Sequence, residues 1–411
     1  MWAPATAHRA GEGEALVRLK PTRVLLAGSL SAALFVLSPA AGSGALAGNL
    51  PVPKIKVGAA MYDAPFHNSF NAADIAVSAA AAPKLATFTA SVVDSGITYK
   101  YTMVGKNPSI KLTKPTTTVT AQLIPLLIKF PDGASWDPSV VDSCDSGASA
   151  LVRTQQSPVF VGHPWTWGGT SIGTGQYVDA FQRASFWKDT MPTGINPGYH
   201  VNLALTTLPT VTINVPLADA AEATTFCGNF LLGLVNVNWL DAYLKKTVIP
   251  SLASQGVGPS TFPLFLVHNV GEYIGTVGQC CVLGYHNAYK ATTTSPIQSY
   301  GLSMYDNSSD FTGSSDISAL SHEVGEWVND PYTNNKTRGW GHIGQVGGCQ
   351  KNLEVGDPLS STNISDTVGG FTYNPQELAF ESWFHRVTPS LGVNGWYSNN
   401  GTFTTTQATC V

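Results

Sequence analysis

Two-residue alternation dominates the first part of the chain, and helical spacing appears later. Thr87–Val93 and Ile97–Val104 are rich in β-branched and aromatic residues and flank Asp94-Ser95-Gly96, which predicts a hairpin. Val119 to Phe130 reads as a longer apolar strand, closed by the turn Pro131-Asp132-Gly133. Tyr177 to Trp187 sets Val178, Phe181 and Phe186 roughly on one face and predicts a helix. Val211 to Val215 is again β-rich, and Asn229 to Leu252, with Leu232, Val235, Trp239, Leu240 and Tyr243, predicts the longest helix. Phe262–Val270, Cys281–Tyr289 and Tyr300–Tyr305 predict three strands, and Pro375–Phe384 a final helix before a tail of Gly, Asn and Thr. The pattern contains no internal repeat. It predicts an α+β fold in which a β-rich region, 48–118, packs against an α+β region, 119–411.

The most informative periodicity lies between those last strands and the tail. Ile317, Leu320, Val324 and Trp327 recur at spacings of three, four and three, which predicts a helix with one buried stripe. Ser314 or Ser315 is the expected N-cap, and Pro331 ends the helix by biasing Asp330 out of the α region. His322 and Glu326 are four residues apart and share a different face, with Glu323 beside them. The order is H-E-x-x-E. Two ligands one turn apart with an adjacent glutamate is the arrangement of the zinc-peptidase pattern H-E-x-x-H. Here a carboxylate stands where the second imidazole would be. That exchange adds negative charge, weakens the Lewis acidity of a bound zinc and makes calcium or manganese more plausible occupants. The alternative is an ordinary helix with a solvated glutamate pair and a hydrogen-bonded histidine.

A third ligand has to come from elsewhere. Glu354 lies 28 residues beyond Glu326 and is the first candidate, with Asp357 close behind it. Asp330 or Asp357 would orient His322. Glu377 and Glu381, one turn apart on the predicted last helix, and His342 are further candidates, although a plain helix surface explains the glutamate pair as well.

Composition bears on the setting. Charged residues are only 12% of the 411, against about 25% in typical globular domains, so four ionisable groups within nine residues stand out. A net charge of -4 gives no electrostatic case for nucleic acid or an anionic membrane as partner. Arg18, Lys20 and Arg23 precede an apolar run from Val24 to Leu37, and Ala45-Leu46-Ala47 is a small-x-small cleavage site. Residues 1–47 are therefore expected to be a signal peptide for the general secretory route. The mature protein is expected to be soluble, extracellular and without a membrane anchor. Export makes disulfides the expected state of Cys144, Cys227, Cys280, Cys281, Cys349 and Cys410, with 15 possible pairings. Cys280 and Cys281 are adjacent and point to opposite faces of a strand, so separate partners are expected. A zinc site built from them and His286 lacks the usual C-x-x-C spacing.

Other motifs compete. Gly169-Thr170-Ser171-Ile172-Gly173 matches G-x-S-x-G and would make Ser171 a hydrolase nucleophile on a sharp strand-to-helix turn. Trp165, Trp167, Trp340 and Trp396 lie beside or near glycines and offer a glycan-binding face, unless they pack in the core. Asn307, Asn335, Asn363 and Asn400 head N-glycosylation patterns, which matter only in a eukaryotic source.

The run Ser321-His322-Glu323-Val324-Gly325-Glu326, then Asp330-Pro331, Gly344-Gln345-Val346 and Glu354-Val355-Gly356-Asp357, resembles the phosphate-induced, exordium-like secreted proteins of plants and a group of exported bacterial proteins. The likeness spans roughly residues 120 to 411 and is strongest from about 316 to 358. More loosely, that segment is similar to gluzincin-type zinc metallopeptidases, departing from them at Glu326. This second resemblance implies a zincin-like core, a mixed sheet plus an active-site helix. It implies zinc held by His322, Glu326 and Glu354, Glu323 as general base, and a peptide or protein substrate. The competing expectation is a non-catalytic secreted protein that binds cell-wall glycan and keeps a structural ion.

Overall fold

Seven strands build the sheet that carries the site, in a computed structural model that describes residues 50–55, 66–81, 83–145, 147–224, 231–341, 349–407 and 410. Its long central strand, Thr116–Lys129, pairs in parallel with His200–Thr207 over its first half and with Val211–Asn214 over its second. Beyond it come Phe262–His268, Ile297–Tyr305 and Gly284–Lys290, the last at the edge. Phe262–His268 is buried at every position, as expected of a strand covered on both faces. A second sheet of five strands contains Ala220–Thr224, Leu231–Asn236, Val270–Tyr273 and Cys280–Val282. The result is a mixed α+β architecture, and residues 48–411 form one unit by their contacts.

The chain switches sheet twice near the site. Phe262–Val270 is not one strand: it breaks at Asn269, whose φ of 50° lies in the left-handed region, and Val270–Tyr273 continues in the second sheet. Cys281–Tyr289 breaks likewise at Leu283, separating Cys280–Val282 from Gly284–Lys290. Such breaks leave no mark in an apolar pattern that is continuous through them.

Two predicted helices are corrected. In the segment 229–252, Leu231–Asn236 is a strand, and helix begins only at Val237. The apolar run there suits either element, and pairing on both sides decides it, with Gly233 packed against Val270 and the Trp136 ring. Only Glu381–Phe384 of the predicted last helix is helical. Before it the chain is held extended by backbone bonds from Glu377 N to Thr362 O, Ala379 N to Val355 O and Phe380 N to Tyr397 O.

The site helix runs Ser318–Asn329. Its apolar stripe packs onto the main sheet, with Trp327 stacked on Phe262 at 3.8 Å between ring centroids and its Nε1 donating to Ser299 Oγ. The opposite face is buried too, so the helix is interior on all sides. Neither Ser314 nor Ser315 caps it. Ile317 occupies the cap position, and Asp316 Oδ1 instead accepts from Ile317 N. Gly325 lies mid-helix, where glycine costs about 1 kcal/mol against alanine. A Cβ there would sit 2.4 Å from Leu378 Cδ1, so the bare backbone admits the extended segment 374–380 against the helix.

Candidate metal centre

Three stretches of chain converge on the helix face that carries His322 and Glu326. The edge strand brings His286, the loop after Cys349–Asn352 brings Glu354 and Asp357, and segment 374–380 brings Gln376. Together they line a pocket of about 70 Å³ whose mouth includes the partly or fully exposed Phe66, His67, Ser314 and Ser361.

His322 is fixed from both ends of its ring. Nδ1 donates to Gln376 Oε1 at 3.0 Å, and Gln376 is itself held by donating from Nε2 to Gly356 O at 2.7 Å. Nε2 is thereby left facing Glu326 Oε1 at 3.1 Å, Asp357 Oδ1 at 3.4 Å and Glu323 Oε1 at 3.9 Å. Gly356 lies flat against the ring and donates its N–H to Glu326 Oε1 at 3.0 Å. His286 repeats the arrangement. Its Nε2 donates to the Asp330 carbonyl at 3.1 Å, leaving Nδ1 facing Glu323 Oε2 at 3.4 Å and Glu326 Oε2 at 3.6 Å. An imidazole anchored through one N–H with its other nitrogen turned on carboxylates is prepared as a metal ligand.

The electrostatics agree. Burial opposes protonation of both histidines, but the carboxylates outweigh it, Glu354 foremost at His286 and Glu326 at His322, and hold both well above the ordinary imidazole value. Burial drives Glu354 well above the carboxylate range, with Glu326 adding to it. Burial, then Glu326, pushes Asp357 up to about 6, and burial also raises Glu323. At Glu326 the two histidines overcome burial and lower the value. So many buried carboxylates, without a cation, are costly unless protonated. Glu354 Oε1 accepts from Asn352 Nδ2 at 2.6 Å, while its buried Oε2 has no hydrogen-bond partner. Among the described residues, nitrogen and carboxylate donors whose atoms lie within 4.8 Å of one another form two sets, His322–Glu326–Asp357 and His286–Glu323–Glu326. Either can hold a metal ion.

The sequence candidates therefore separate. His322, Glu323, Glu326, Glu354 and Asp357 line one pocket. Asp357 lies on the ligand side of His322, and Gln376 does the orienting assigned to it in the sequence reading. Asp330 serves through its main chain, which anchors His286 rather than His322. Its carboxylate caps the following turn through Asn334 N and Asn335 N. Glu377 is not on a helix surface but buried, accepting from Ser398 Oγ, Thr402 N and Thr402 Oγ1. Glu381 is buried beside a separate cavity under the 87–104 hairpin. His342 lies outside the described residues. His286 and Gln376 carry no spacing signal; only alternation along the edge strand, which turns His286 inward, hints at the first.

Cys280 and Cys281 are bonded to each other rather than to separate partners, so they offer no zinc site with His286. Cys349 pairs with Cys410, and Cys144 is also disulfide-bonded. Ser171 sits at an exposed position in the strand Thr170–Gly175, following a tight turn at Gly168 and Gly169. The strand-to-helix turn that a nucleophile requires there is absent. Trp165, Trp167 and Trp340 are buried in the core and present no aromatic face for a glycan. Among the described residues no helix is long and apolar enough to cross a membrane. The chain matches no known family, and no curated protein or solved structure is detectably similar to it.

Proposed function

We propose that the protein is a secreted metal-dependent hydrolase that cleaves peptide bonds, with a zincin-like catalytic region. One observation carries the reading: His322 Nε2, Glu326 and Asp357 converge within ligand distance of one another, and a further carboxylate, Glu323, borders the same pocket. A divalent ion at these donors, zinc by preference, polarises a carbonyl and makes a water more acidic. The chain supplies the rest. Glu323 takes the proton of the attacking water and delivers it to the departing amine. Burial raises its affinity for that proton, as a base working near neutral pH requires. Gln376 and Gly356 keep the His322 ring oriented. His67, at the mouth and 3.9 Å from Glu354 Oε1, borders the path of a substrate. The bonded cysteines suit an oxidising compartment, and the run before Gly48 supplies the export signal.

The test is metal analysis of purified protein, paired with hydrolysis of a fluorogenic peptide library. His322→Ala should strip the ion from its set. Glu323→Gln should abolish hydrolysis while His322, Glu326 and Asp357 keep theirs. An unchanged rate in Glu323→Gln removes Glu323 as the base, and metal-free wild-type protein removes the reading altogether.

A further inference from the structure

We infer that the centre holds two divalent cations, bridged by Glu326, with His286 as a ligand of the second; this rests on the metal-binding part of the proposed function. Glu326 addresses each histidine with a different oxygen, Oε1 toward His322 Nε2 at 3.1 Å and Oε2 toward His286 Nδ1 at 3.6 Å. A carboxylate that turns one oxygen to each of two nitrogen donors has the geometry of a bridge between two ions. Glu323 straddles the same pair, with Oε2 at 3.4 Å from His286 Nδ1 and Oε1 at 3.9 Å from His322 Nε2. Its Oε2 serves the second ion, and its Oε1 stays turned toward the first, free to accept a proton.

Independent support comes from Glu354. It lines the same pocket, and its Oε2 is buried, lacks a hydrogen-bond partner and lies 3.8 Å from His286 Nε2. Charge points the same way. Glu323, Glu326, Glu354 and Asp357 are all buried and carry four negative charges when ionised. One divalent ion neutralises half of them, and two neutralise all. The donors, two imidazoles with carboxylates, suit manganese, iron or zinc pairs, which sit about 3.5–4 Å apart in known two-metal sites.

The experiment is native mass spectrometry, with elemental analysis, of protein stripped by chelation and reloaded with Mn²⁺ and, separately, Zn²⁺. Wild type should carry two ions per chain, His286→Ala and His322→Ala one each, and Glu326→Gln fewer than one. Mn²⁺-loaded wild type should also give an exchange-coupled electron paramagnetic resonance signal, which needs no variant to fold. A single ion at saturation, an uncoupled Mn²⁺ spectrum, or His286→Ala retaining two ions overturns the second site while leaving the first intact. No ion at all overturns the metal reading as a whole. Two coupled ions without peptide hydrolysis leave the second site standing and remove the hydrolase.

Discussion

Gly356→Ala isolates how tightly the site is built. An added Cβ would sit 2.6 Å from His322 Cγ and Nδ1 and 2.7 Å from Cε1, where carbon contacts settle at about 3.5–4.0 Å. The backbone gives no relief to weigh against this: φ of -86° and ψ of -36° suit alanine as well as glycine. The imidazole must therefore move by roughly 1 Å, the distance between those two contacts. That shift loosens the 3.0 Å bond to Gln376 and draws Nε2 away from Glu326 and Asp357. Overpacking costs about 1–3 kcal/mol, and restricting the unfolded chain returns about 0.4–1 kcal/mol, so the metal-free protein should lose on the order of 1–2 kcal/mol. Metal affinity should fall by about 10–100-fold, the usual effect of disturbing a ligand's support. Urea unfolding with and without metal, together with chelator-competition titration, reads both numbers. Gly258→Ala, where a Cβ meets nothing within 4 Å, is the control: it should leave metal affinity unchanged and raise stability by no more than about 0.4–1 kcal/mol. Wild-type affinity and stability in Gly356→Ala would refute the steric coupling of this loop to His322.

Gln376→Leu leaves His322 Nδ1 without its acceptor and should weaken metal binding by about 10–100-fold, measured by the same competition titration; an unchanged affinity excludes Gln376 as the orienting group. Trp327→Ala removes the stack on Phe262 and should cost about 3–5 kcal/mol in urea unfolding, and a loss under 1 kcal/mol would mean the helix is not anchored there. Burial pushes Glu381 up to about 7, so its folded state prefers the proton. Its contribution is complete below the ordinary carboxylate range near 4.5 and is lost as pH rises through about 7, on the order of 3 kcal/mol in all. Stability of wild type minus that of Glu381→Gln should fall across that window, and a flat difference from pH 4 to 8 contradicts the buried acid.

The local part of the centre was legible because helix geometry is local. A spacing of four residues puts His322 and Glu326 on one face whatever surrounds them, and Pro331 ends the helix where it stands. The hairpin at Asp94-Ser95-Gly96 was legible for the same reason: its turn and alternation are adjacent in sequence. Distance from the motif decided what was missed. The pair Glu377 and Glu381 looked like one turn of helix until backbone bonds to Thr362 and Val355 drew the segment out straight. Leu231–Asn236 looked helical until two neighbouring strands claimed its amides.

By itself, the sequence determined an α+β chain with one helix bearing His322, Glu323 and Glu326, because periodicity and spacing act over a few residues. Only the tertiary structure decided what that helix faces. A strand ending two sheet switches away delivers His286, a mid-helix glycine admits the segment carrying Gln376, and a loop laid against the imidazole delivers Asp357 and Glu354. Those encounters depend on which buried surfaces fit together across hundreds of residues, and packing of that range leaves no period in the chain.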